Sequence, residues 1–283
     1  KSLFMLLQSE VLKKTKNFDQ LKITYNEMIN NTTTKELGEI GLMDYYLSLQ
    51  DYHHAYIYAE RLFLKNPQID KLYSNILQII SKTNNWSQLL NISKKAYDNK
   101  IITKEIYNEH KSIALYEIAN IKYQSDINES LKLMKEAISL RGFFIPYLKF
   151  TVNLHIKNNN VSEAKKLLNK GWNNNPSSEL RNFIIEISVQ LKLDIVKFVL
   201  SFRSIKNSIY QNQMLLTQAY ISNKKWSEAR EQIKRVMTEK PSKDICDFMS
   251  MIELGENNDI AKSNSWRMRG DSANMENCWI CTI

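Results

Sequence analysis

The chain has 283 residues, 43% of them hydrophobic, with 6 Gly and 4 Pro. That is enough apolar material for a sizeable core and too few turn residues for a β-rich fold, so long helices with short connections are expected. The net charge of +9 comes from 39 basic and 30 acidic residues. No basic stripe interleaves with aromatics in a nucleic-acid module, so nucleic acid is excluded as the expected partner. The lysine pairs fit an acidic partner or anionic lipid, but a Lys-, Asn- and Ile-rich composition explains them more simply.

From the start of the chain, one pattern recurs. A polar turn leads to an aromatic or branched residue, then to a helix with a small residue three positions on. The leading residues are Phe18, Tyr52, Trp86, Ile127, Val161, Ile195, Trp226 and Ile260, at intervals of 34, 34, 41, 34, 34, 31 and 34. Pro67, Pro176 and Pro241 each follow such an anchor by 15 residues. Each unit is read as two amphipathic helices, A and B. The anchor opens helix B and packs back on helix A. Ala55, Ala164 and Ala229 let the two helices approach, and the proline ends helix B. Ser162-Glu163 and Ser227-Glu228 are expected to act as helix-opening caps. The Ile127 unit has Ser130 at the small position and the Ile195 unit has Phe198.

A 34-residue period resembles the tetratricopeptide repeat, most closely from Tyr210 to Pro241, where Leu216, Tyr220, Trp226, Ala229 and Pro241 fall on preferred positions. The expected fold is all-α, a tetratricopeptide-like right-handed α-solenoid of about seven to eight hairpins. The repeats are expected over residues 1–270, with a bend near 97–107, and residues 271–283 form a tail.

Helix A lines the concave side of such repeats, and its inward positions put Asp44, Lys71, Ser74, Gln78, Lys149, Asn153, Gln211 and Gln218 in a partner groove. Substituting Lys71, Lys149 and Gln218 together is expected to weaken binding with little loss of helicity. No nucleophile–base set, phosphate loop or carboxylate pair stands out, so an enzyme is not expected. His53 and His54 are adjacent and cannot share one metal from one helix face. His155 replaces a usual Tyr and reads as a packed core residue. Cys246, on an apolar face with Met249, Met251 and Ile252, reads as a small buried hydrophobe. Cys278 and Cys281 have the spacing of half a tetrahedral metal site. Zinc or iron is expected only if a cysteine module follows residue 283; otherwise they are incidental thiols.

A finer resemblance lies in Glu36-Leu37-Gly38 through Pro67, with Gly41-Leu42 and Tyr58-Ala59-Glu60-Arg61, and in Cys246 to Glu253, Asn257-Asn258-Asp259, Trp266 and the tail pair Trp279 and Cys281. These resemble HemY-type proteins, tetratricopeptide proteins attached to haem biosynthesis in proteobacteria. The resemblance implies a membrane anchor before Lys1 and a place at the bacterial inner membrane, with this part on the cytoplasmic side. It also implies a non-enzymatic scaffold whose protein partners are late haem-pathway enzymes. Two other roles fit the repeats: an adaptor in lipopolysaccharide assembly, or a direct haem or porphyrin carrier.

Overall fold

In the computed structural model, which describes residues 2–69, 71–202 and 209–273, every regular element among the described residues is a helix. The chain falls into two compact units, residues 1–142 and 143–283. The first contains α1 (Ser2–Lys14), α2 (Phe18–Ile29), α3 (Lys35–Ser48), α4 (Tyr52–Lys65), α5 (Leu72–Thr83), α6 (Trp86–Asp98), α7 (Lys104–Lys122) and α8 (Ile127–Arg141). The second contains α9 (Ile145–Lys157), α10 (Val161–Asn174), α11 (Ser178–Gln190), α12 (Ile195–Leu200), α13 (Ile209–Ser222), α14 (Trp226–Lys234), α15 (Lys243–Asn257) and α16 (Ile260–Asp271). Odd helices are the A members and even helices the B members of eight hairpins among the described residues. This is an all-α, tetratricopeptide-like helical-repeat fold.

All eight anchors are the first residue of a helix B. Three positions on, Leu21, Ala55, Leu89, Ser130, Ala164, Phe198, Ala229 and Ser263 are all buried. Where serine replaces alanine, its hydroxyl is satisfied across the hairpin. Ser130 donates to the Ala119 carbonyl of α7 at 3.0 Å, and Ser263 shares a hydrogen bond with Ser250 of α15 at 2.8 Å. A buried hydroxyl costs little once it is bonded, so these units keep the packing of the alanine units. Pro67, Pro176 and Pro241 all lie in the connection after a helix B.

The anchors pack less uniformly than expected. Ile195 is buried, but Phe18 and Ile260 are exposed. Trp226 lies against Gly255 of α15, in the next hairpin: a Cβ added there would come within 2.4 Å of the indole ring. The tryptophan therefore packs across the connection between hairpins.

Six of the hairpin turns share one backbone recipe. Lys16, Gln50, Asn84, Asn159, Lys224 and Asn258, each two residues before an anchor, have positive φ between 50° and 57°. The residue just before each anchor is the helix cap. Asn17, Asp51, Asp126, Asn160, Asp194 and Asp259 each accept a hydrogen bond from a main-chain N–H of the first turn. Ser162 and Ser227 are thus not the caps. An N-cap side chain must precede the first helical residue to face the open N–H groups, and these two serines already lie inside α10 and α14. The Ser227 hydroxyl instead donates to Glu256 Oε1 at 2.9 Å.

Two glycines bring hairpins together in the first unit. Cβ atoms at Gly38 and Gly41 of α3 would meet α2: the Tyr25 carbonyl at 2.9 Å in the first case, the Tyr25 ring at 2.4 Å in the second. Residues 97–107 lie within this unit and join α6 to α7, with Tyr97 and Tyr107 stacked at 5.3 Å.

Candidate functional site

In the second unit, polar side chains of the A helices are tied to one another across successive hairpins. Arg181 of α11 is only 2% exposed. Its Nε donates to Gln218 Oε1 of α13 at 3.0 Å, and its Nη2 donates to Asp244 of α15. Its guanidinium lies 5.3 Å above the Phe248 ring. Gln218 in turn donates through Nε2 to Asn182 Oδ1 at 2.9 Å. Arginine has no acceptor, so the Gln218 carboxamide can face it in one orientation only. The strip continues onto α9, where Lys149 donates to Glu179 at 2.7 Å and lies 5.6 Å from the centre of the Phe183 ring. Four successive A helices are thus joined through polar side chains. A buried guanidinium is tolerable here because a carboxylate and a carboxamide share it.

Of the expected groove residues, Lys149 and Gln218 belong to this strip. Asn153 is exposed on α9, one turn beyond Lys149, and Gln211 is half-buried on α13. Gln218 differs from expectation in kind. Both ends of its carboxamide are engaged within the protein, so it spaces the helices and is not a free contact for a partner. Its substitution would also loosen Arg181.

The remaining expected residues lie in the first unit. Ser74 and Gln78 are exposed on α5. Lys71 is not a helix residue: it precedes α5 with φ of 57°, and its carbonyl accepts from the Ser74 hydroxyl at 2.7 Å. Asp44 lines a hollow of about 160 Å³ with Lys13, Tyr25 and Gly41. Burial pushes its carboxyl up, and the nearby Lys13 ammonium draws it part of the way back.

The sulfur and imidazole groups follow ordinary packing. Cys246 is fully buried beside Met249 and Ile252, and burial pushes its thiol up; Met251 points outward instead. His155 is half-buried with its pKa lowered by burial. His54 pairs with Asp51 at 2.7 Å, and His110 with the Tyr73 hydroxyl at 2.7 Å. Among the described residues, no three His, Cys, Asp or Glu side chains cluster as a metal site. Cys278 and Cys281 lie outside the described residues.

Arg181 was not singled out by the sequence, and neither were its partner Asp244 and the Asn182 that holds Gln218. The position it holds in the repeat is filled by Gly38 in α3, Leu72 in α5 and Cys246 in α15. It is also filled by Tyr147 in α9 and by the polar Asn212 in α13, so the repeat register held no signal for Arg181.

No family model matches the sequence, and no curated protein matches it. Among solved structures, the chain is similar to a tetratricopeptide repeat protein from Parabacteroides merdae ATCC 43184. The TM-score is 0.37 at 14% identity, over 88% of this chain and 93% of that one. It is also similar to a chain in the structure of Naa15/Naa10 bound to HypK-THB, with a TM-score of 0.29 at 13% identity, over 94% of this chain and 46% of that one. The assignment of the fold rests on the hairpins themselves. No described helix is long and apolar enough to cross a membrane.

Proposed function

We propose that the chain is a helical-repeat scaffold that holds a protein partner on the helix-A surface of its second unit. The observation that carries this is the pre-ordered polar strip from Lys149 through Arg181 to Asp244. Side chains already fixed by one another lose little freedom when a partner arrives, which favours binding. Around the strip, Asn153, Asn182 and the carboxylate of Glu179 face outward and offer both donors and acceptors. The arrangement suits the polar main chain and side chains of a peptide or protein surface.

The narrower reading makes this the interaction part of a HemY-type inner-membrane protein, with late haem-pathway enzymes as partners. Its support is the set of short sequence stretches that resemble that family. One experiment addresses both levels: cross-linked pull-down from the cells that make the protein, with Lys149→Ala/Asn153→Ala beside the wild type. Loss of the same co-purified proteins in the variant, at unchanged helicity, is expected. Equal recovery from both would reject the helix-A surface. Ferrochelatase or porphyrinogen-oxidising enzymes among the lost proteins would support the narrower reading, whereas envelope-assembly proteins alone would reject it.

A further inference from the structure

Two consecutive A helices of the first unit, α5 and α7, are joined through Tyr73 and His110. The Tyr73 hydroxyl of α5 shares a hydrogen bond with His110 Nδ1 of α7 at 2.7 Å, and it donates to Ser93 Oγ of α6 at 3.4 Å. Ser93 is fully buried, and Tyr73 and His110 are half-buried. The Phe63 ring of α4 packs against Tyr73, with 6.0 Å between ring centres. One hydroxyl of α5 thus meets both α6 and α7.

The second unit makes the same kind of tie with charge. Tyr73 and His110 lie 13 and 17 residues before their anchors, Trp86 and Ile127, while Lys149 and Glu179 lie 12 and 16 before theirs, Val161 and Ile195. Both pairs therefore join consecutive A helices within one residue of the same register. The difference is chemical. Imidazole is the side chain whose charge ordinarily changes between about pH 5 and 8, and an ammonium–carboxylate pair has no such group.

The surroundings of His110 set the sign of its response. Burial disfavours the imidazolium and lowers its pKa, and Glu109, the preceding residue of α7, draws it part of the way back. Glu109 is itself shared with Arg141 of α8 at 2.9 Å, and Lys111 is paired with Glu136 of α8 at 2.6 Å. From α5 and α6 come only the hydroxyls of Tyr73 and Ser93, and burial pushes the Tyr73 hydroxyl up, so it keeps its proton. A neutral hydroxyl offsets a positive charge less than the Glu179 carboxylate does for Lys149. The folded chain therefore binds fewer protons at His110 than the unfolded chain. The stability held there is complete above the ordinary imidazole value of ~6.5 and is lost as pH falls through the lower, folded value.

We infer that Tyr73 and His110 form a proton-sensitive tie: a proton gained by His110 loosens α5 from α7 and relaxes the helix-A surface of the first unit, where Ser74 and Gln78 lie exposed. The test is hydrogen–deuterium exchange of the whole chain at about pH 7.5 and about pH 5.5, read by mass spectrometry and corrected for the slower intrinsic exchange in acid. Protection of α5 is expected to fall about fivefold at the lower pH, the order that one lost hydrogen bond gives. His110→Gln keeps a polar partner for Tyr73 and does not titrate, so its α5 protection should be the same at both pH values. Tyr73→Phe keeps the ring without the hydroxyl and should leave α5 less protected at the higher pH already. Unchanged α5 protection in the wild type, or an equal fall in His110→Gln, overturns the inference. So does an equal fall in α15, which Arg181 holds through Asp244, because the whole chain would then be loosening in acid. The ring protons of His110, followed by nuclear magnetic resonance, give a test that needs no variant: a titration midpoint at or above about 6.5 overturns the inference as well.

Discussion

Two single side chains carry disproportionate weight because each solves a local problem with one atom group. At Gly41 the missing Cβ leaves room for the Tyr25 ring. Alanine in place of glycine inside a helix normally gains ~1 kcal/mol through propensity. Here the added methyl would sit 2.4 Å from a ring carbon, so the sign reverses. Gly41→Ala is expected to lose about 1–3 kcal/mol in urea unfolding, the cost of forcing a packed ring aside. Arg181 solves the opposite problem, since it fills space with charge. Arg181→Ala leaves Asp244 and Gln218 facing a void without their donor. A loss of about 3 kcal/mol is expected by the same measurement, at the lower end of what breaking a buried pair costs because Asp244 remains partly exposed. The first residue was legible only as a member of a sequence stretch, with no stated task. The second was not legible at all, because its partners lie 37 and 63 positions away and follow no local pattern.

The helices show why periodic features are readable and their edges less so. Each anchor marks a helix start because a polar turn must precede an apolar helical face, and that contrast survives in every unit. The caps lie one residue earlier, at Asp and Asn positions that look like ordinary turn residues. Their role predicts a pH effect. Asp51 and Asp259 accept main-chain N–H groups of α4 and α16, and those bonds hold both carboxyls below the usual carboxylate range. The folded chain therefore binds fewer protons than the unfolded chain near these pKa values. Their contribution is complete above the ordinary carboxylate value of ~4 and is lost as pH falls through the lower, folded value. Urea midpoints measured from pH 6 to pH 2 should fall in that window. Asp259→Asn keeps an acceptor that does not titrate and should fall less. Ser162→Ala, by contrast, should change stability by less than about 0.5 kcal/mol, since that hydroxyl caps nothing.

For the molecule as a whole, the hairpin repeat was readable throughout, including the serine-for-alanine units. The two-unit grouping was not, because it depends on which helices pack together rather than on spacing. Gly41 and Arg181 belong to different units. Their alanine variants should therefore be additive, with the double variant within about 0.5 kcal/mol of the sum in urea unfolding. The candidate site divides in the same way. Lys149 and Gln218 share one unit and one strip, while Asp44, Lys71, Ser74 and Gln78 belong to the other. A list of inward positions had merged two separate sets.

The hairpin turns leave this protein with an unspent thermal margin. Lysine and glutamine hold left-handed backbone at Lys16 and Gln50, where a Cβ is strained and glycine is not. Lys16→Gly and Gln50→Gly should each stabilise by about 0.5 kcal/mol, the relief of strain outweighing the extra entropy of the unfolded chain. Together they should raise the melting temperature of the first unit by roughly 4 °C in scanning calorimetry. Both residues are exposed at hairpin tips, away from the polar strip on α9, α11, α13 and α15 in the chain, so heat tolerance can be tuned there.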